Sequence, residues 1–432
     1  MAPEKKQHVK LGDIADVQTG PFGSQLHASD YKTLGTPIIT VEHLGDNEIL
    51  HQNLPLVGAA DRQRLTKYSL KEGDIVFTRV GAIDRRAYVS KKEDGWLFSG
   101  RLLRVRATGD AAHGRFLSHL FGEQGTIQWI RNHAVGSTMA CLNTSILSAV
   151  PLNLPPIPEQ RRIAEVLDTL DEALKKTEQV IVKLKQVKQG LLHDLLTRGI
   201  DENGELRDPE RHPEQFKKSP LGRIPKAWDV ERLRELAVSG CPITYGVVQP
   251  GPHDSNGVLF VRGGDFPNGR IEIERLRTIS RQVDLQYART KLCGGEILVS
   301  LVGQPGSSAV VPLSLAGANI ARQVAVIRLG SRVHPEFLHA YISSARGQQD
   351  LMSDTLGTVQ RVVNLKDLRE LCIPVPAVKE QGLIVSGLKN WHSRYDAECN
   401  KLSKLRLLKQ GLMKDLLTGQ VPVTPLLAES PP

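Results

Sequence analysis

One heptad-patterned stretch occurs twice in this chain, and the rest must be arranged around it. Between Glu159 and Thr197, the residues Ile163, Leu167, Leu170, Leu174, Thr177, Ile181, Leu184, Lys188, Leu191 and Leu195 fall alternately four and three apart. That spacing is the seam of a paired helix. The second copy lies 221 residues later and reads Ile384, Leu388, Trp391, Tyr395, Glu398, Leu402, Leu405, Lys409, Leu412 and Leu416. Polar residues interrupt both seams at the same two places, Thr177 and Lys188 in the first, Glu398 and Lys409 in the second. The copies end nearly alike, Lys188-Gln-Gly-Leu-Leu-His-Asp-Leu-Leu-Thr197 and Lys409-Gln-Gly-Leu-Met-Lys-Asp-Leu-Leu-Thr418. Such a helix is roughly 58 Å long. One narrow apolar stripe on so long a rod needs another helix to cover it, so the two copies are expected to pair as a coiled coil. The alternative is that each lies along its own domain.

The repeat extends beyond the helices. Leu11-Gly-Asp-Ile-Ala-Asp16 opens one half and Leu233-Arg-Glu-Leu-Ala237 the other. Gly73-Asp-Ile-Val-Phe-Thr-Arg-Val-Gly81 matches Gly295-Glu-Ile-Leu-Val-Ser-Leu-Val-Gly303, and Arg101 matches Arg322. His113, Asn143 and Gln160 match His334, Asn364 and Gln381. A chain that repeats once at this period is two copies of a unit, each a globular domain followed by a long helix. The expected boundaries are a first domain at 1–157, a long helix at 158–198, a polar surface linker at 199–219, a second domain at 220–378, a second long helix at 379–419 and a tail at 420–432. Within the domains, short Val- and Ile-rich runs predict strands at Pro37–Val41, Ile75–Thr78, Leu97–Val105, Leu259–Arg262, Ile297–Leu301 and Gln323–Ile327. Helical spacing predicts helices over Phe116–Ile130 and Pro335–Leu351. His113 and His334 are expected to cap these helices, and Asp74 and Glu296 to shape turns. The fold class is α+β.

The net charge of +9 favours a polyanionic partner. No run approaches the roughly 18 apolar residues of a membrane helix, and the start lacks the apolar core of a signal peptide. The five cysteines are scattered, so neither a disulfide framework nor a zinc site is expected. These features suit a cytoplasmic protein that does not engage a membrane. No phosphate loop, dinucleotide fingerprint or zinc helix occurs. Nothing in the spacing selects a catalytic set, and no metal ligands are expected. The halves diverge in their loops. Thr19-Gly-Pro-Phe-Gly-Ser24 stands against Gly240-Cys-Pro-Ile-Thr-Tyr-Gly246, with Gln249 following, and Val80-Gly-Ala-Ile-Asp-Arg-Arg86 against Val302-Gly-Gln-Pro-Gly-Ser-Ser308. Arg offers a bidentate match to guanine and Gln to adenine. The candidate DNA-facing residues are therefore Thr19, Ser24, Arg79, Arg85, Arg86, Gln249, Arg262 and Gln304. Loops that simply drift would look the same.

The layout resembles the specificity subunit of type I restriction–modification systems. The resemblance rests on the helix openings Pro158-Glu-Gln-Arg-Arg-Ile-Ala164 and Lys379-Glu-Gln381, the repeated Lys-Gln-Gly-Leu endings, the paired Gly-Asp-Ile-Val and Gly-Glu-Ile-Leu strands, and the entry Leu221-Gly-Arg-Ile-Pro-Lys-Ala-Trp228. It implies two mixed α/β target-recognition domains, each reading half of a bipartite double-stranded DNA site. It also implies that the long helices pair antiparallel as a spacer. The chain would carry no cofactor and perform no chemistry. Its partners would be two modification subunits, which methylate with S-adenosylmethionine, and restriction subunits, which are motor-nucleases using ATP and Mg. A stand-alone duplicated-domain nuclease, or a coiled-coil assembly protein that does not bind DNA, is the alternative.

Overall fold

The computed structural model describes residues 7–21, 25–27, 30–136, 140–352, 362–421 and 423. The chain forms two compact units, one of residues 1–178 and 400–432 and the other of residues 179–399. Each unit is thus one globular domain with part of both long helices, rather than a domain with its own helix alone. Among the described residues, no helix is long and apolar enough to cross a membrane.

The first unit is built on an antiparallel sheet of Ala15–Thr19 (β1), Ile75–Thr78 (β2), Arg86–Tyr88 (β3) and Leu102–Ala107 (β4), in the order β1-β4-β2-β3. All four residues of β2 are buried, as a central strand of Ile, Val, Phe and Thr should be. A smaller sheet adds the parallel pair Ile38–Ile39 with Leu97–Phe98. The predicted strand Leu97–Val105 is two strands, because Leu102 N–H turns back to Ser99 O at 3.0 Å. The predicted helix Phe116–Ile130 is likewise two, Gly114–Leu120 (α1) and Gln124–His133 (α2). It breaks at Gly122, where a side chain would run into the Arg86 guanidinium. The long helix Ile157–Thr197 (α3) then begins.

The second unit repeats this plan. Its sheet is Thr244–Tyr245 (β5), Ile297–Ser300 (β6), Ser308–Val310 (β7) and Val324–Ile327 (β8), in the order β5-β8-β6-β7. The parallel pair recurs as Phe260–Val261 with Asn319–Ile320. Pro335–Ser343 (α4), with Pro335 in its first turn, and Ala345–Met352 (α5) replace one predicted helix. Ser344 separates them, its hydroxyl accepting from Gly347 N–H at 3.0 Å. The second long helix is Val378–Leu412 (α6), closed by one π turn over Met413–Leu417. The segment 199–219 is more ordered than a surface linker. Phe216–Ser219 forms a hairpin with Gly222–Pro225, and Arg207 pairs with Glu380 at 2.6 Å with both side chains largely buried.

Repeated polar positions lock each domain to its helix. Gln160 is fully buried: its Oε1 accepts from His113 N–H at 2.8 Å, and its Nε2 donates to Ala111 O at 3.0 Å and Pro155 O at 2.8 Å. Gln381 does the same with His334 N–H at 2.8 Å, Arg332 O at 2.9 Å and Pro376 O at 2.8 Å. The histidines therefore precede their helices as expected, but neither imidazole makes a capping bond. Asp74 accepts from Lys71 N–H at 2.7 Å and holds Arg106; Glu296 accepts from Cys293 N–H at 2.6 Å and faces Arg328. These carboxylates close turns and anchor an arginine on the neighbouring strand (Arg106) or just past its end (Arg328).

The helix seam is covered along its length. No seam residue of either copy is exposed. In the first unit Lys409 Nζ meets Asp171 at 2.5 Å and Arg406 meets Glu178 at 2.7 Å. One number rises as the other falls, so the helices run antiparallel. In the second unit Trp391 Nε1–H donates to Leu184 O at 3.0 Å, and Ile200 N–H donates to Glu380 Oε1 at 2.9 Å, in the same sense. Ile163, Ala164 and Leu167 join the core of the first unit together with Leu416 and Leu417. Leu192, Leu195 and Leu196 join the core of the second with Ile384, Val385 and Leu388.

Candidate nucleic-acid interface

At one end of the first unit's sheet four loops meet. The β2–β3 loop is folded on itself, with the buried Thr78 hydroxyl donating to Ala82 O and Thr78 N–H donating to Arg85 O at 3.0 Å. Its Gly81 has φ +86°, a conformation that favours glycine, and donates to Ala140 O at 2.9 Å. Arg79 N–H donates to Arg101 O at 2.9 Å, and Leu142 N–H to Arg79 O at 2.8 Å. Gly20, leaving β1, donates to Leu102 O at 3.2 Å. A Cβ on Gly20 would lie 2.2 Å from Ser99 O, so only glycine lets the strands close here.

The second unit rebuilds the same end. Leu301 N–H donates to Gln323 O at 2.7 Å, Val363 N–H to Leu301 O at 3.0 Å, and Arg322 N–H to Val247 O at 2.9 Å. Gly303 has φ +92°, a positive φ like that of Gly81 in the first unit. A Cβ on Gly246 would lie 1.9 Å from Ile320 O, which makes Gly246 the counterpart of Gly20. The sheet ladders fix the correspondence and correct two sequence matches. Thr78 pairs with Leu102 and Ser300 with Val324, so Arg101 stands where Gln323 stands, not Arg322. Thr19 pairs with Leu103 and Tyr245 with Ala325, so Thr19–Gly20 corresponds to Tyr245–Gly246, and the match of Thr19 to Gly240 was out of register.

The candidate residues divide accordingly. Thr19 is half-buried at the end of β1, and Arg79 is half-buried with Nη1 donating to Gly100 O at 3.4 Å. Arg85 is exposed but donates to Leu44 O. Gln249 and Gln304 are exposed on loops. Arg262 is held by Asp265, at 3.0 Å from Nε and 2.7 Å from Nη2. Ser24 lies outside the described residues. Arg86 must be withdrawn from the surface set. Its guanidinium turns inward, with Nε–H donating to Ser118 O at 2.6 Å, and burial pushes its pKa down to about 10. The position is interior in both repeats, since its counterpart Ser308 bonds His339 on α4 at 2.9 Å. Arg101, Tyr245, Arg322 and Gln323 are exposed at these loop ends and were not selected from sequence. The ladder register that exposes their equivalence is set by backbone bonds and leaves little trace in residue identity.

Away from the loops, His119, Asp168 and Asp171 form one cluster with geometry that could hold a metal ion. Their charges are already balanced. Asp168 meets Arg115 and His119 at 2.7 Å each, and Asp171 meets Lys409 at 2.5 Å. Burial raises the Asp168 carboxyl, but the His119 hydrogen bond and the Arg115 charge together hold it below its usual value. The cluster behaves as an ion-pair network joining α1 to the helix pair.

Residues 3–186 and 225–409 match the family model described as the type I restriction modification DNA specificity domain. The EcoBI specificity subunit of Escherichia coli, a type I restriction enzyme subunit, is 30% identical over 335 residues, covering 75% of this chain and 69% of the relative. The putative MjaX specificity subunit of Methanocaldococcus jannaschii is 25% identical over 440 residues, covering 98% and 95%. Two solved structures share the fold. One is a chain from a type I R-M system studied for complex assembly and conformational transition, with TM-score 0.59, 19% identity and coverage of 96% and 98%. The other is the S subunit of a type I restriction–modification system from M. genitalium, with TM-score 0.57, 12% identity and coverage of 96% and 96%. A model that matches both halves of the chain, and a relative aligned over three quarters of it, agree with the duplicated domain and helix: this chain belongs to the type I restriction–modification DNA specificity family.

Proposed function

We propose that each unit reads its own half of a split, asymmetric double-stranded DNA site through the loop end of its sheet. The observation that carries this is one scaffold bearing different side chains at equivalent places: Thr19 against Tyr245, Arg79 against Leu301, and Arg101 against Gln323. A repeated framework keeps the geometry of approach, while unlike side chains read unlike bases. Arg101 suits a guanine edge and Gln323 an adenine edge, each by a two-point match. Basic groups nearby supply salt-dependent attraction to phosphates.

In this reading the chain contributes recognition and no catalytic group. It docks two modification subunits, which supply methyl transfer from S-adenosylmethionine, and restriction subunits, which use ATP and Mg. The antiparallel helix pair serves as the spacer between reading domains. The test is methylome sequencing of cells carrying this chain with its partner subunits. The expected result is a split adenine-methylated motif. Arg101→Ala should relax one base in one half, and Gln323→Ala one base in the other, each good contact being worth about 1–3 kcal/mol of discrimination. An undivided motif, or a single substitution that alters both halves, refutes the proposal.

A further inference from the structure

Each unit contains a cleft between its globular domain and the long helices, of about 1050 Å³ in the first and about 740 Å³ in the second. The clefts are equivalent in the repeat, but their charges differ. Lys409 of the first cleft corresponds to Lys188 of the second. Asp168 and Asp171 correspond to Lys389 and His392. In the first unit Asp171 neutralises Lys409 at 2.5 Å. In the second, His392 stands where that carboxylate should be. Among the described residues no carboxylate lies within ion-pair distance of Lys188, and its ammonium sits 5.1 Å from the centre of the Trp391 ring.

The carboxylates lining the second cleft are already taken. Glu336 faces Lys389 at 3.3 Å, and Asp396 faces Arg270 at 2.7 Å. His392 Nδ1–H donates to Leu388 O at 2.9 Å; its Nε2 can therefore donate to an anion when the ring is protonated, and otherwise accepts from a protonated phosphate oxygen. His339, bonded to Ser308, lines the same space, and its ring is kept neutral by burial and by the charges of Lys188 and His392. A half-buried ammonium without a counter-charge is costly. A cleft of this volume falls in the range of small-ligand sites, about 300–1,000 Å³. We infer that the second-unit cleft binds an oxyanion, a phosphate or carboxylate group seated between Lys188 and His392 in the place the Asp171 carboxylate fills in the first unit.

The experiment is isothermal titration calorimetry of the full chain with sodium orthophosphate and, separately, sodium acetate, at constant ionic strength balanced by chloride. The two arms separate phosphate from carboxylate as the preferred group. Saturable binding of at least one of them is expected. His392→Asp installs the missing carboxylate and should weaken that binding by about tenfold or more, the worth of one charge-assisted hydrogen bond. Lys188→Met should do the same. Asn390→Asp adds the same charge on an exposed helix position that does not line the cleft, and should leave binding unchanged. Absence of saturable binding by either anion, or equal binding by wild type and His392→Asp, overturns the inference. Thermal unfolding of His392→Asp without added anion gives an independent reading. The inference expects it to be more stable than wild type, and a less stable variant counts against it.

Discussion

Replacing Gln160 by Leu tests how the first domain is fixed to its long helix. The side chain is fully buried and makes three hydrogen bonds, one accepted from His113 and two donated to Ala111 and Pro155. Leu is close in volume, so little cavity forms and the effect is almost wholly polar. The change removes three bonds, each worth about 1 kcal/mol net, and strands one N–H and two carbonyls, at about 1–3 kcal/mol for a fully unsatisfied group. Carbonyls tolerate a lost partner better than N–H groups do. The expected loss is therefore about 3–5 kcal/mol. At about 2–4 °C per kcal/mol for a unit of this size, the first unit's transition should fall by roughly 6–20 °C. Differential scanning calorimetry of the full chain resolves it. Gln381→Leu should lower the second unit's transition instead, because its three partners lie in that unit. A shift of less than about 2 °C in either variant, or the same transition moving in both, would refute the reasoning.

Arg86→Ala should destabilise the first unit without changing the salt slope of DNA binding, because its guanidinium is committed to Ser118 O; a shallower slope would return it to the DNA face. For His339 the folded pKa is pushed down to about 4, chiefly by burial and then by Lys188 and His392, with Glu336 opposing. The unfolded chain takes up a proton near pH 6.5, its ordinary value, so protons favour unfolding between those limits. Stability of the second unit should be fully present above about pH 6.5 and fall towards about pH 4. His339→Gln should flatten that slope in urea titrations across the range, and an unchanged slope would assign it to other groups.

Much of this architecture was legible in the sequence, because it rests on periodicity. The two seams, the central strands Ile75–Thr78 and Ile297–Ser300, and the glycines that follow them all carry local patterns. What escaped depends on tertiary partners. Arg86 is a charged residue in a loop-like run and reads as exposed; it turns inward because α1 leaves Ser118 O to be satisfied. Gln160 reads as an ordinary first-turn residue until His113 and Pro155 are placed beside it. Residues 199–219 are polar enough to read as a free linker, yet Ile200 and Phe216 give them apolar anchors and Arg207 reaches Glu380. At the candidate interface the family and the repeat were legible, while the residue-by-residue equivalence of the two loop ends was not. Two arginines at nearly the same offset, Arg101 and Arg322, invited a match that the backbone ladder moves by one residue. In a sheet that one-residue shift decides which side chain stands at the equivalent loop position.

The near identity of the two helix endings has a physical source in this arrangement. The first ending, with Leu192, Leu195 and Leu196, completes the core of the second unit, and the second ending, with Leu416 and Leu417, completes the core of the first. Both endings therefore fill equivalent sockets, beside the starts of α6 and α3 respectively, and neither can drift without opening a core. Each buried Leu side chain is worth about 1.5–3 kcal/mol relative to its exposed state, so the constraint is strong. Towards the middles of the helices the copies do diverge: Leu170 and Leu174 in one become Trp391 and Tyr395 in the other, and the tryptophan bonds to Leu184 O. It follows that a reading domain exchanged at its junction with α3 arrives in a unit whose socket is already filled by a matching ending. Exchange at that boundary preserves the core while replacing the loops. This separates the part of the chain that must stay constant from the part that can acquire a new specificity.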